Sequence, residues 1–212
     1  MKIKICGLRT RADVRVAAEA GATYVGFVFF PKSPRNITLG DAAWIAPALT
    51  GDILGVGLTV DASDEDLAAI LEAIPLNMIQ LHGHESPDRV REVRERFELP
   101  VMKAVGVATH EDLEALDAYS EVSDMVLVDA RPEPNADRPG GNGQAFDWSL
   151  IQQRKWTVPW LLAGGLNPEN VGEAIRFTGA TQVDVSSGVE SRAGYKDHDL
   201  IRSFVKQANA AS

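Results

Sequence analysis

Two segments carry residue types suited to holding an anion. Residues 162–170 read Leu-Ala-Gly-Gly-Leu-Asn-Pro-Glu-Asn, and residues 184–190 read Asp-Val-Ser-Ser-Gly-Val-Glu. Glycine lets backbone N–H groups approach ligand oxygens closely. A helix N-terminus behind such a loop adds a dipole that favours negative charge. One glycine pair alone reads as a strand cap. Two such loops together point to a phosphate, lined by Gly164, Gly165, Ser186, Ser187 and Gly188. Three further side chains of chemically useful type end short apolar runs, Cys6, His82 and Asp129, and Ser186 ends another. Residue type leaves each open. A lone cysteine is usually a small buried hydrophobe. An aspartate serves as readily as a helix cap or ion-pair partner, and an inward histidine as a satisfied structural group.

The elements that must position these residues recur along the whole chain. β-branched runs fall at 2–6, 23–29, 53–60, 77–82, 100–105, 124–129, 158–163 and 181–186. Amphipathic stretches alternate with them at 11–20, 39–49, 63–73, 86–97, 109–119, 147–154, 168–177 and 197–208. Helix starts carry cap signals: Ser63 before Asp64 and Glu65, Ser86-Pro87, Thr109 with Asp112, and Asn167-Pro168. Strict alternation requires parallel strands with crossover helices. Eight units in 212 residues leave no room for a second domain. The expectation is an α/β fold, a single (β/α)8 TIM barrel of the phosphate-binding type over residues 1–212. The first strand ends in Cys6-Gly7-Leu8-Arg9-Thr10, which is not a dinucleotide-binding fingerprint.

Side chains on a strand alternate between two faces. Ile3 and Ile5 oppose Lys2, Lys4 and Cys6; Ile79 and Leu81 oppose Gln80 and His82; Val126 and Val128 oppose Asp129; Val183 and Val185 oppose Asp184 and Ser186. The apolar set must cover the helices, so the polar set looks into the barrel. The last inward residues then form one ring at the C-terminal mouth, where barrel enzymes place their chemistry. Lys4, Lys103 and Asp184 are expected a layer deeper. Such polar groups are costly in a barrel unless paired or used.

The composition excludes several classes. The formal charge is −9, so the basic footprint of a nucleic-acid binder is missing. No window reaches the ~18–20 apolar residues of a membrane span. Met1 opens directly onto Lys-Ile-Lys-Ile-Cys without an apolar signal segment, and one cysteine forms no internal disulfide, so a cytoplasmic protein is expected. His84, His110 and His198 have no metal-ligand spacing with a carboxylate cluster, so no metal is expected.

These residues, taken in order, resemble the phosphoribosylanthranilate isomerase family of tryptophan biosynthesis. The resemblance runs through Lys4-Ile5-Cys6-Gly7-Leu8, Gly26-Phe27-Val28-Phe29, Ser33-Pro34-Arg35, Gln80-Leu81-His82-Gly83 and Leu127-Val128-Asp129. It continues in Gly140-Gly141-Asn142-Gly143, Phe146-Asp147-Trp148, Leu162-Ala163-Gly164-Gly165-Leu166 and Asp184-Val185-Ser186-Ser187-Gly188-Val189-Glu190, covering residues 3 to about 198. The Cys-Gly-Leu opening and the Ser-Ser-Gly-Val-Glu loop together make it specific.

The resemblance implies an Amadori rearrangement of a phosphosugar, N-(5-phospho-ribosyl)anthranilate, with no metal or organic cofactor. It implies Cys6 as the general base and Asp129 as the general acid. A thiol near its ordinary pKa of ~8.5 is expected to be lowered by nearby positive charge. Arg35 is implied as the clamp on the anthranilate carboxylate, a role that suits a guanidinium fork. His82 either orients Cys6, touches substrate or is structural. Asp184 either binds a sugar hydroxyl or the anthranilate amine, or pairs with Lys4 or Lys103. Residues 130–145 form a Pro- and Gly-rich loop that is expected to act as a lid. A monomer or a homodimer fits equally. Other phosphosugar barrels are weaker matches: indole-glycerol-phosphate synthase needs a catalytic lysine and extra N-terminal residues, and ribulose-phosphate epimerase needs metal-binding His and Asp. A non-catalytic phosphate-binding barrel is the alternative outside enzymes.

Overall fold

The computed structural model describes residues 1–131, 140 and 146–212. Eight strands close into one parallel barrel in chain order. They are β1 (Lys2–Cys6), β2 (Tyr24–Phe29), β3 (Leu54–Thr59), β4 (Met78–Leu81), β5 (Val101–Val107), β6 (Met125–Ala130), β7 (Trp160–Leu162) and β8 (Gln182–Val185). The last pairs back on the first, with Lys4 opposite Asp184 and Ile5 opposite Val185. The α-helices are α1 (Arg11–Ala20), α2 (Leu39–Ile45), α3 (Asp64–Ala73), α4 (Pro87–Phe97), α5 (Asp112–Ser120), α6 (Val171–Thr178) and α7 (His198–Ala210); α1 to α6 lie on crossovers between parallel strands, and α7 follows β8. The architecture is the expected TIM barrel. An antiparallel hairpin of β9 (Glu190–Arg192) and β10 (Tyr195–Lys196) stands between β8 and α7, where the sequence reading has no element.

The local signals work as capping chemistry predicts. Thr10, Thr38 and Ser63 each accept from the amide three residues on, and Asp13, Asp41 and Asp66 close the capping boxes. Ser86 caps α4 with Pro87 in its first turn. Two signals act differently. Asp112 Oδ2 accepts from the amides of Ala108 and Thr109, so its carboxylate ties down the turn that enters α5. Asn167 Oδ1 accepts from the amides of Glu169 and Asn170, capping a turn, and regular helix starts only at Val171.

Strand alternation sorts the core into layers. Ile3, Ile5, Val126, Val128, Val183 and Val185 face the helices and join Val14 and Ala17 of α1 and Ile201, Phe204 and Val205 of α7. Tyr24, Val56, Met78, Met102, Met125 and Leu127 fill the lower barrel interior. Each large side chain so buried contributes roughly 1.5–3 kcal/mol. The polar inward residues therefore sit above an apolar floor.

Two expectations need correction. Residues 147–154 are not an α-helix: a short 3₁₀ turn spans Trp148–Ile151, and Gln153 adopts a left-handed φ of 60° that stops any continuation. Lys103 does not point into the barrel. It stands in register with Leu81 and Val126, which face the helices, while its neighbour Met102 points inward. Its ammonium pairs with Glu85 at 2.9 Å and donates to Gly83 O at 2.7 Å, compensating its burial.

Candidate active site

The C-terminal ends of the strands surround a cavity lined by Cys6, Arg35, His82, Asp129, Gly164, Gly165, Asp184, Ser186 and Ser187, with Val28, Phe30, Leu58 and Val60 as an apolar wall. Of the residues given a catalytic or binding role in the sequence, Gly188 alone lies outside this lining. It stands where the loops after β7 and β8 touch. A Cβ there would sit 1.9 Å from the carbonyl oxygen of Leu166, so only glycine permits the contact. Gly164 and Gly165 adopt φ of 82° and 63°, turning the β7 loop back toward the cavity.

Cys6 ends β1 and is buried. On the same face Lys4, fully buried, donates to Asp184 Oδ1 at 2.8 Å. Asp184 thus takes Lys4 and not Lys103 as its partner. Burial opposes the Lys4 charge, but Asp184 and then Cys6 outweigh it and push the ammonium pKa up. For Cys6 itself burial is the largest influence and pushes the thiol up, Lys4 pulls it down, and Asp184 adds to the rise. The expected lowering is therefore reversed, because desolvation of a thiolate exceeds the attraction of the neighbouring cations.

Asp129 stands on β6, with Oδ1 accepting from the amide of Ala130 at 2.8 Å. His82 faces it, with Nε2 3.5 Å from Asp129 Oδ2. On its other side His82 Nδ1 lies 3.0 Å from the amide nitrogen of buried Gln80. The Gln80 amide can present its nitrogen or, turned over, its otherwise unpartnered oxygen to Nδ1, so both ring tautomers fit the pair among the described residues. His82 is thus placed against Asp129 and not against Cys6. Gly140 packs on both, and the remainder of the proposed lid, 132–139 and 141–145, lies outside the described residues.

Arg35, in the loop after β2, is held by a residue that the sequence reading did not single out. Its Nε and Nη2 donate to Glu190 Oε1 and Oε2 at 2.7 and 2.9 Å. Lys196 donates to the same Glu190 Oε1 at 2.8 Å and to Ser186 O at 2.8 Å. For Glu190, burial works to raise the pKa, but the Arg35 hydrogen bond and the Lys196 charge overcome it and hold the carboxyl below its ordinary range. Glu190 closes the Ser-Ser-Gly-Val-Glu motif, so the signal was present there. Lys196 stands in no motif.

The cavity thus offers a thiol and a carboxyl from β1 and β6, a guanidinium able to meet a carboxylate, and two glycine-bearing loops able to meet an anion. Proton transfer on a small anionic molecule is the chemistry it suits. Among the described residues no group of three or more His, Cys, Asp or Glu is placed to hold a metal ion. No helix there is long and apolar enough to cross a membrane.

Residues 3–207 match the family model described as N-(5'phosphoribosyl)anthranilate (PRA) isomerase. The chain is 58% identical over 208 residues to the N-(5'-phosphoribosyl)anthranilate isomerase of Cereibacter sphaeroides, covering 98% of both chains. Identity to that of Ruegeria sp. is 53%, covering 99% of this chain and 98% of the relative. The crystal structure of phosphoribosyl anthranilate isomerase from Thermotoga maritima superposes with a TM-score of 0.89 at 40% identity, covering 99% of each chain. A phosphoribosyl anthranilate isomerase in complex with reduced 1-(o-carboxyphenylamino)-1-deoxyribulose 5-phosphate superposes at 0.84 with 39% identity, again over 99% of each chain.

Proposed function

The chain belongs to the N-(5'-phosphoribosyl)anthranilate isomerase family, and on that premise we propose how its residues carry the family's reaction in tryptophan biosynthesis. The substrate, N-(5-phospho-β-D-ribosyl)anthranilate, becomes 1-(2-carboxyphenylamino)-1-deoxy-D-ribulose 5-phosphate. Asp129 gives its proton to the ribose ring oxygen. The anilino nitrogen lone pair moves toward C1 as the C1–O bond breaks, leaving an open-chain iminium. Cys6, as thiolate, removes the proton from C2. That electron pair forms the C1–C2 double bond, and the C1–N π pair returns to nitrogen, giving an enolamine. Loss of the C2 hydroxyl proton and protonation at C1 yield the ketone.

The observation that carries this reading is that Cys6 and Asp129 line one cavity whose other wall is built by the loops after β7 and β8. Gly164, Gly165, Ser186 and Ser187 seat the phosphate, Gly188 holds the two loops together, and Arg35 meets the anthranilate carboxylate. Asp184, fixed by Lys4, offers its second oxygen to a ribose hydroxyl or the anilino N–H. In the tautomer with its proton on Nε2, His82 donates to the Asp129 carboxylate once that group has given up its own proton, stabilising the charge that develops there. A base that must remain a free thiol favours the cytoplasm, where thiols stay reduced. Every residue named comes from one chain, so a monomer and each half of a homodimer are equally complete.

Purified protein given freshly made phosphoribosylanthranilate in EDTA should extinguish its anthranilate fluorescence. Unchanged fluorescence over hours at micromolar enzyme would refute the reading.

A further inference from the structure

Behind Arg35 lies a buried charge cluster that the isomerisation steps do not use. Glu190 accepts from Arg35 through both oxygens, from Lys196 Nζ at 2.8 Å and from the Gly194 amide at 3.2 Å. The side chains of Glu190 and Lys196 are 4% and 1% exposed. Two cations around one anion leave one positive charge in excess, beside the cavity. A guanidinium has a side edge, Nε with one Nη, and an end edge with both Nη atoms. Glu190 occupies the side edge. Among the described residues Nη1 makes no hydrogen bond, so the end edge is left for a second carboxylate.

The hairpin that bears this cluster is fastened to the loop that bears Arg35. Arg9 Nη1 lies 3.5 Å from Pro34 O and 3.4 Å from Gly194 O, bridging the two segments. Gly194 has φ of 80°, and a Cβ there would meet Pro34 O at 2.3 Å, so the hairpin turn sits directly on the residue preceding Arg35. Lys196 closes the other side through Ser186, whose hydroxyl donates to Cys6 O at 3.1 Å. Arg35 has no freedom to swing while this cluster is intact.

We infer that Glu190 is a positioning residue that presets the Arg35 guanidinium, with Lys196 as its counter-ion, and so sets the preference for substrates with a ring carboxylate. This rests on the reading of Arg35 as the carboxylate clamp. A rigid, half-occupied guanidinium meets a planar carboxylate without first losing side-chain entropy. A mobile one would also accept other anions or none.

The test compares two substrates, phosphoribosylanthranilate and the analogue built on aniline, which lacks the carboxylate. Loss of discrimination between the two in Arg35→Ala alone establishes the underlying reading separately. Glu190→Gln should then raise KM for phosphoribosylanthranilate about tenfold with kcat within about threefold, and the ratio of kcat/KM values for the two substrates should collapse. Inhibition by inorganic phosphate should stay at the wild-type constant. Added to Arg35→Ala, Glu190→Gln should cause no further loss of discrimination, since it acts through Arg35. Should Glu190→Gln fail to give a folded circular dichroism spectrum, Glu190→Asp, one methylene too short to reach both cations, should show the same collapse. Equal losses on both substrates, undiminished discrimination in the folded variant, or additivity with Arg35→Ala would each overturn the inference.

Discussion

At the scale of single residues, the site sets its thiol in surroundings that work against ionisation. Cys6 is useful as a base only as thiolate, yet burial pushes its thiol up, with Lys4 opposing. A base with a raised pKa is scarce in its active form near neutrality. The ultraviolet thiolate absorbance that Cys6→Ala removes should therefore grow in only above the ordinary thiol range of ~8.5, whereas a full thiolate signal at neutral pH would mean a lowered thiol. The same direction bears on stability. A group raised on folding stabilises fully below its unfolded pKa and loses that contribution as pH rises through its folded value. Cys6 therefore contributes stability at neutral pH that is lost in alkali beyond the ordinary thiol range of ~8.5. Chemical denaturation across pH 8–11 should show a part of the decline that disappears in Cys6→Ala. Strand alternation placed Cys6 and Asp129 at one mouth, and both line one cavity, but it misjudged this balance, because Lys4 was visible on the same strand face while the depth of burial was not.

At the scale of elements, strands that alternate apolar and polar residues could be read, and strands that do not could not. The faces of β1, β4, β6 and β8 follow directly from their sequences. In β5 every residue from Val101 to Val105 is buried, so no pattern distinguishes the faces, and Lys103 was assigned to the wrong one. Its true place makes it a tether. With Glu85, which also accepts from the amides of Asp61 and Gly83, it fixes the turn after β4 that carries His82. Breaking one side of a buried pair leaves an uncompensated charge. Lys103→Met should cost about 3–5 kcal/mol in urea unfolding, whereas a loss under 1 kcal/mol would place the pair in water. The hairpin of β9 and β10 escaped notice because its strands are three and two residues long. The loops after β7 and β8 were legible from glycine placement, but their contact at Gly188 was not. Gly188→Ala should force them apart, raising KM at least tenfold; an unchanged KM would show that the loops seat no phosphate jointly.

At the scale of the whole molecule, a chain of formal charge −9 still sets two cations around one buried carboxylate beside its cavity. Arg35 and Lys196 flank Glu190 at the mouth, while Lys4 is neutralised by Asp184 in the barrel interior. Closure of the barrel holds these groups together, since β1 and β8 supply Lys4, Cys6 and Asp184 and are sealed by α7 against α1. Phe204 is fully buried in that seal, and Phe204→Ala should cost about 3–5 kcal/mol of stability by denaturant titration. A cost below 1 kcal/mol would mean that α7 is not needed for closure. The eightfold alternation was plain in the sequence because each strand and helix repeats the same demand for burial. How the charges divide was not, since it depends on contacts such as that of Lys4 with Asp184, 180 positions apart.

The most direct measurement follows the fluorescence of phosphoribosylanthranilate in EDTA with wild type, Cys6→Ser and Asp129→Asn, all shown folded by circular dichroism. Rapid loss of fluorescence is expected with wild type, and a fall in kcat of about 10²–10⁴-fold with each variant, the usual worth of a general acid or base. Turnover within tenfold of wild type by either variant would contradict the assignment of the proton transfers to Cys6 and Asp129.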